Sequence, residues 1–379
     1  MKNDELLYIE DMAFSLGPQA THSNPLPLPD TLPFRLVVDQ TTGLISQERH
    51  ARVEECLDHA YRAGSLLGPA MDESDLGRSY ATDFVRFIGG ALGVLDGRAL
   101  LEIGSGRGYL LKLLGEAGAS AVGIEPGLAN CEYARRFNVN VVRGVFPENA
   151  PTGHFDAILA YAVLEHIADP LRFLEQIRVA LPKGGKVILS VPDCEHHIEL
   201  GDSSMLFHEH FSYFDRKSLA TLLVKAGFKG VHVETAGFGG ALYAVGTAAE
   251  IADEIEVDRY DVAALTALFK GSQDRIREKL AKASAEGRSV GAYCPLRIVP
   301  YLTRQSTIRF FDDDPELLGR FYPPFCAPIE SRHQLLEAPV DELWIMSRTF
   351  GPRLKSQLSQ EQSLRRTRIR LVAELFGSE

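Results

Sequence analysis

The chain has 379 residues, 45% hydrophobic and 24% charged, with a formal net charge of −11. That length exceeds one ordinary core and predicts two domains behind an N-terminal extension, while the composition excludes disordered and fibrous classes. The acidic balance excludes a general attraction to nucleic acid polymers or anionic membranes, and no apolar run of about 18 residues predicts a membrane span.

The opening "MKNDELLYIEDMAF" is acidic where an export signal needs a basic start and an apolar stretch, so the protein is expected in the cytoplasm. Residues 1 to about 50 are rich in proline and turn residues and read as a weak, extended region with one short strand, "FRLVVD". Helical spacing follows in "QERHARVEECLDHAYRAGSLL" and "YATDFVRFIGGAL". From Ala99 the pattern alternates: "ALLEIG", a helix from Tyr109, "SAVGIEP", a helix from Leu128, "VNVVRG", "FDAILAYAV", a helix from Pro170, then "GKVILSVP". Short apolar strands between amphipathic helices predict βαβ units and a parallel sheet buried on both faces. "GVHVETAGFGGALYAVGTA" predicts an antiparallel edge hairpin.

A charged helical stretch over 250–286 leads to a second α/β passage in which "RSVGAYC", "TIRFFDDD" and "VDELWIM" predict three more parallel strands. The resulting division is an extension over 1–75, a ligand-binding α/β domain over 76–249, a helical linker over 250–286 and a smaller α/β domain over 287–379. "RLKSQLSQEQSLRRTRIR", with six basic residues against one acidic, reads as the solvated face of a C-terminal helix. The cysteines Cys56, Cys131, Cys194, Cys294 and Cys326 form no CxxC pair, so reduced thiols are expected rather than a zinc ribbon or a disulfide framework.

"LLEIGSGRGYLLKLL" ends a strand, turns on Gly104, Gly106 and Gly108, and opens a helix. Glycines there permit positive φ and let backbone N–H groups approach a ligand that Cβ atoms would exclude. Tyr109 holds the place of the third glycine of a dinucleotide fingerprint, which counts against NAD and a dehydrogenase. Glu102, two residues before Gly104, favours a cationic ligand and would repel a pyrophosphate. Glu125 ends the next strand about 20 residues past the first glycine, the place of a carboxylate that accepts ribose hydroxyls.

Together "EIGSGRG", "GIEP" and "FDAILAYAVLEHIADP" resemble the class I S-adenosylmethionine-dependent methyltransferases over roughly residues 85 to 250. The resemblance implies a Rossmann-like sheet and S-adenosyl-L-methionine as cofactor. It places Glu102 and Gly104 near the methionine end, Glu125 on the ribose, and "GVFPEN" with Phe146 beside adenine. A core role for Phe146 weighs equally.

"ALPKGGKVILSVPD" followed by "FHEHFSYF" resembles a narrower group, the nucleotide-sugar C-methyltransferases that tailor deoxysugars. That group carries a Tyr/Phe-x-E-H-x-x-Y-F element, matched by Glu209, His210, Tyr213 and Phe214. "FFDDDPELLGRFYPPFCAPIES" and "VDELWIM" resemble its C-terminal domain. The group begins with a small zinc module, and "LVVDQTTGLISQ" resembles the segment after its second cysteine pair, but Asp39 and Thr42 stand in the cysteine positions. Those two residues cannot replace thiolates in a tetrahedral site, so no metal is expected. The glycine turn of the C-terminal domain has become "AYCPLRIVPY", which weakens its ligand role.

Carbon methylation beside a ketone needs a base for the α-proton, donors for the enolate oxygen and a methyl donor in line behind the carbon. His210 with Glu209, or His166 of "LEHIADP", can supply the base and its tautomer-fixing carboxylate, and Tyr213 can hold a hydroxyl or oxyanion. His208 reads as structural or solvent-facing, and His196 and His197 as solvated loop residues. In a strand His208 and His210 would share a face, and in a helix they would diverge by about 200°, but no third metal ligand is signalled.

The expected activity is methyl transfer to a small, nucleotide-linked sugar. O- or N-methylation of a sugar or small metabolite, and a non-catalytic cofactor-binding protein, are the alternatives, and a homo-oligomer stays open.

Overall fold

A computed structural model describes residues 3–15, 17–24, 28–62, 71–72, 74–249, 255–257 and 259–376. The chain forms two compact units, each discontinuous in sequence: Met1–Asn3, Val38–Glu195 and His210–Tyr260 make the first, and Asp4–Val37, His196–Glu209 and Asp261–Glu379 the second. Among the described residues no helix is long and apolar enough to cross a membrane. The five cysteines are all free.

The N-terminal region holds three strands, β1 (Asp4–Ala13), β2 (Thr31–Asp39) and β3 (Leu44–Gln47). The expected "FRLVVD" lies within β2. β1 escapes the sequence reading because Leu6 and Leu7, then Met12 and Ala13, are buried as adjacent pairs, which breaks the two-residue alternation. Between β2 and β3, the carboxylate of Asp39 accepts the Thr41 backbone N–H at 2.8 Å and the hydroxyls of Thr41 and Thr42 at 2.8 and 2.9 Å. The turn is closed by its own hydrogen bonds.

The first unit's main sheet has seven strands: β4 (Ala99–Ile103), β5 (Ser120–Glu125), β6 (Asn140–Arg143), β7 (Ala157–Tyr161), β8 (Lys186–Pro192) and, beyond the short β9 (Ser212–Tyr213), β10 (Phe228–Thr235) and β11 (Ala241–Ala248). Their order is β10-β11-β8-β7-β4-β5-β6. Five strands run parallel, and β11 is antiparallel to both β8 and β10, as the glycine-joined hairpin predicts. Alternate residues feed two apolar layers: Leu101, Ile158, Val187 and Leu189 face one, Leu100, Leu159 and Ile188 the other. Each such buried aliphatic side chain contributes about 1.5–3 kcal/mol. β9 pairs antiparallel with β3, setting Tyr213 opposite Ile45.

The second unit carries a five-stranded parallel sheet of β12 (Val290–Tyr293), β13 (Arg309–Asp312), β14 (Ile329–Ser331), β15 (Glu342–Ile345) and β16 (Arg368–Leu371), ordered β14-β13-β12-β15-β16. Three strands match the sequence reading. The edge strands β14 and β16 are only three and four residues long and carry polar residues, so neither shows an apolar run. The basic stretch from Arg353 is therefore no single helix. A helix over Gly351–Leu358 gives way to β16, where Arg370 is buried with its Nε 3.9 Å from Glu342 Oε2. The helix Val262–Ala285, capped by Asp261, buries Ile276 and Ala283 in the core of this unit.

Candidate active site

β4 and β7 are neighbours, yet the chain leaves β4 toward β5 on one side and β7 toward β8 on the other. In an open parallel sheet, ligands are received beyond the carboxyl ends of the strands at such a reversal. The glycine loop lies there. Gly104, Gly106 and Gly108 have φ of +68°, +50° and +80°. A Cβ on Gly104 would stand 2.6 Å from Val163 Cγ2, and one on Gly108 would stand 2.8 Å from Val139 Cγ2. Gly106 has open space around it instead. The Gly104→Ala variant is therefore expected to lose about 1–3 kcal/mol of stability together with ligand binding. Gly106→Ala should keep more of its stability and still lose binding, as melting temperature and titration calorimetry would show; equal melting losses would contradict the packing argument.

Glu102 and Glu125 both converge on this loop. Glu125 Oε2 accepts the Gly106 N–H at 3.0 Å, while Oε1 accepts the Gly127 N–H at 2.8 Å and Asn130 Nδ2 at 3.1 Å. A carboxylate oxygen offers two lone pairs, so one site stays open on Oε2, and a second ribose hydroxyl must displace Asn130 from Oε1. Glu102 is buried, and its Oε2 has no hydrogen-bond partner among the described residues. Burial, with the charge of Glu125 added, pushes its carboxyl up to about 8. An orphaned buried carboxylate beside a second acid is a site for a cation. These residues fit S-adenosylmethionine: Glu102 offers a buried carboxyl to a positive charge, the open Gly106 loop leaves room for a close ligand, and Glu125 Oε2 has an acceptor site for a hydroxyl. Phe146 is buried in the core and meets Phe173 edge-on with ring centroids 5.7 Å apart.

Past β7, Ala162 takes a left-handed φ of 52° and the chain turns through Leu164–His166 before Asp169 caps the helix Pro170–Ala180. That turn presents Glu165 and His166. The segment after His210 runs beside it, fixed by the Phe211 N–H donating to the Glu165 carbonyl at 2.7 Å. The His166 and His210 rings meet edge-on with centroids 4.8 Å apart, and Tyr213 lies 6.3 Å from His210. Glu165 Oε1 is 4.0 Å from His166 Nε2. Burial pushes the Glu165 carboxyl up to about 8, and its Oε2 has no hydrogen-bond partner among the described residues.

Donor atoms of Glu165, His166 and His210 all lie within 4.8 Å of one another, a set able to relay protons or to hold a divalent ion. The sequence alone does not mark Glu165 as a site residue. Its signal was the Glu-His pair in "LEHIADP", whose significance appears only when His210 arrives from elsewhere in the chain.

The rest of "FHEHFSYF" separates. His208 and Glu209 form a turn, so neither the strand nor the helix geometry for two histidines applies. His208 is buried edge-on against Phe14 and Phe34, and burial lowers its pKa to about 4. Glu209 belongs to the second unit, and burial raises its carboxyl well above the usual range. Tyr213 is fully buried. His197, read as a solvated loop residue, is instead buried in the second unit, while His196 is exposed.

Comparison with known proteins agrees with the geometry of the first unit. A family model described as a methyltransferase domain matches residues 76–233. The C-methyltransferase NovU of Streptomyces niveus is 27% identical over 291 residues, which cover 69% of this chain and 69% of NovU. A tRNA U34 carboxymethyltransferase of Mannheimia succiniciproducens is 34% identical over 119 residues, covering 28% of this chain and 37% of that relative. The solved DhpI-SAM-HEP complex aligns with 52% of this chain and 99% of its own at 22% identity, but its TM-score of 0.41 is too low to bear on fold or function. With the domain match spanning the glycine loop, Glu125 and the Glu165–His166 turn, the chain is an S-adenosylmethionine-dependent methyltransferase.

Proposed function

We propose that this enzyme methylates a carbon beside a keto group on a small, nucleotide-linked sugar, with His210 removing the α-proton. The observation that carries this reading is the convergence of His166, His210 and Glu165 at the carboxyl-end crevice of the main sheet. Histidine is the commonest general base, and a second imidazole lies within a ring's width to share the proton. The similarity to NovU, a C-methyltransferase, supports carbon as the acceptor.

S-adenosylmethionine supplies an electrophilic methyl group when bound. Glu102 balances its positive charge, Gly104, Gly106 and Gly108 admit it closely, and Glu125 takes a ribose hydroxyl. Phe146 lies beside adenine only as a wall of the packed core. Burial raises the carboxyl of Glu209, the chain neighbour of His210, well above its usual range, which disfavours a charged tautomer-fixing role. Tyr213, fully buried in β9, anchors the segment that follows His210. The Glu165, His166 and His210 group needs no metal for this transfer, because a sulfonium methyl is already activated, and the hydrogen-bonded Asp39 turn needs no zinc. The enzyme's partner is a small-molecule methyl acceptor.

The test is mass-spectrometric screening of nucleotide sugars with and without a 4-keto group. A gain of one methyl on keto sugars alone, with exchange of the α-proton in deuterated buffer, is the expected result. Methylation of hydroxyl or amino sugars without that exchange would replace the carbon route by O- or N-transfer.

A further inference from the structure

Removal of an α-proton needs a donor for the oxygen on which the charge gathers. Tyr213, which the sequence offers for that task, is fully buried within β9, so a donor is needed from another element. Tyr161 ends β7, the strand that leads through one tight turn to Glu165 and His166. It is half-buried, and Glu165 is near enough to act electrostatically on its hydroxyl. Its cross-strand neighbours also carry hydroxyls: Tyr161 stands opposite Ser190 of β8, and Ser190 opposite Tyr243 of β11. Directly opposed residues share one face of a sheet. Here it is the face on which Phe84, from the helix Asp75–Leu92, meets Tyr161 and Tyr243 with ring centroids 5.1 and 5.0 Å away.

The three hydroxyls of this row differ in what they hold. Tyr243 donates to Asp83 Oδ2 at 3.3 Å, and the same oxygen accepts the Gly237 N–H at 3.0 Å, which ties the turn between β10 and β11 to the helix. Ser190 is buried and hydrogen-bonded to the Tyr161 hydroxyl. A phenol oxygen can accept such a bond and still donate its own proton. Burial, reinforced by Tyr80 and Glu165, raises the Tyr161 hydroxyl further above its ordinary range, so it keeps that proton at every working pH. Tyr80 and Phe238, both half-buried, stack with ring centroids 3.9 Å apart. An aromatic wall that holds water away makes a hydrogen bond to developing charge worth more than it is in solution.

We infer that the Tyr161 hydroxyl donates a hydrogen bond to the carbonyl oxygen of the acceptor as that oxygen becomes an enolate, with Ser190 as its positioning residue. This rests on the proposed carbon methylation and adds the group that meets the charge. When His210 takes the α-proton, the C–H electron pair becomes the carbon–carbon π bond of the enolate, and the carbonyl π pair moves onto oxygen. Tyr161 keeps its own proton throughout and stabilises that oxygen, and the pair returns to the carbonyl when the carbon is methylated.

The test is exchange of the α-proton of dTDP-linked and UDP-linked 4-keto-6-deoxyglucose in deuterated buffer, followed by NMR on the full chain with S-adenosylhomocysteine added, so that enolate formation is read without methyl transfer. Tyr161→Phe keeps the ring and should lower the exchange rate about 10²-fold, with S-adenosylhomocysteine affinity within about twofold and a melting temperature close to that of the unmodified protein. Ser190→Ala keeps the phenol but frees it, and a smaller loss of rate with KM little changed is expected. Tyr243→Phe removes the next hydroxyl of the same row and should exchange within about twofold of the unmodified rate. Full exchange in Tyr161→Phe while His210→Ala has lost it overturns the donor and leaves the base standing. A loss in Tyr243→Phe equal to that in Tyr161→Phe overturns it as well, because the row would then act only through packing. No exchange by the unmodified protein with either sugar removes the carbon methylation and this role together.

Discussion

Replacing His210 with alanine is expected to lower turnover about 10²- to 10⁴-fold while leaving S-adenosylmethionine affinity within about twofold, because a general base acts in the transition state and not on the cofactor. His166→Ala should lose less if it only shares the proton, and a loss equal to that of His210→Ala would make the two rings one functional pair. Glu165 adds a sharper test. Its buried carboxyl carries a proton up to about pH 8, so it acts as a donor at neutral pH. Glu165→Gln preserves a donor and should keep most activity, whereas Glu165→Ala should not. Turnover that vanishes with a chelator and returns with zinc would instead identify the trio as a metal centre. Full activity in His210→Ala would remove the assigned base altogether.

Glu102→Gln should strengthen the ligand-free protein and weaken the liganded one. The folded carboxyl titrates at about 8, above its ordinary 4.5, so between those values the folded state holds a proton that the unfolded state has released. Stability therefore falls as pH rises from about 4.5 to about 8, by an amount on the order of a few kcal/mol. Glutamine removes this contribution, and the melting temperature of Glu102→Gln should exceed that of the unmodified protein at pH 9 by more than at pH 5. Glu165 titrates in the same window, so some slope persists in the variant. A bound cation reverses the balance by stabilising the ionised Glu102. The variant should lose about tenfold or more in affinity for S-adenosylmethionine, and less for S-adenosylhomocysteine, which lacks the sulfonium charge. An unchanged pH dependence of melting together with unchanged affinity would show that Glu102 neither carries this strain nor meets the cofactor.

Both predictions rest on groups that the sequence locates unevenly. Glu102, the three glycines and Glu125 are legible because strand, turn and helix are local, and a loop that must reach a ligand with its backbone needs glycine at fixed spacing. The seven-stranded sheet follows from the same local signals: apolar strands at βαβ spacing and a glycine-joined hairpin. What local pattern does not carry is burial without alternation, as in β1, or pairing by very short polar strands, as in β14 and β16.

Side-chain company is decided by the fold. His166 and His210 are far apart in sequence, and the bond from Phe211 to the Glu165 carbonyl lays one turn beside the other and makes Glu165 part of the group. "FHEHFSYF" shows the same limit within eight residues. Its spacing suggests two equivalent histidines, yet a turn at His208 and Glu209 sends His208 into an aromatic core and leaves His210 beside His166, because which rings are buried depends on strands contributed from elsewhere in the chain. The sequence by itself determined the glycine loop, through local backbone requirements, and the class of chemistry through its resemblance to the methyltransferases. The tertiary structure alone decided which acids lose their charge and which histidines meet, since desolvation and proximity are properties of packing.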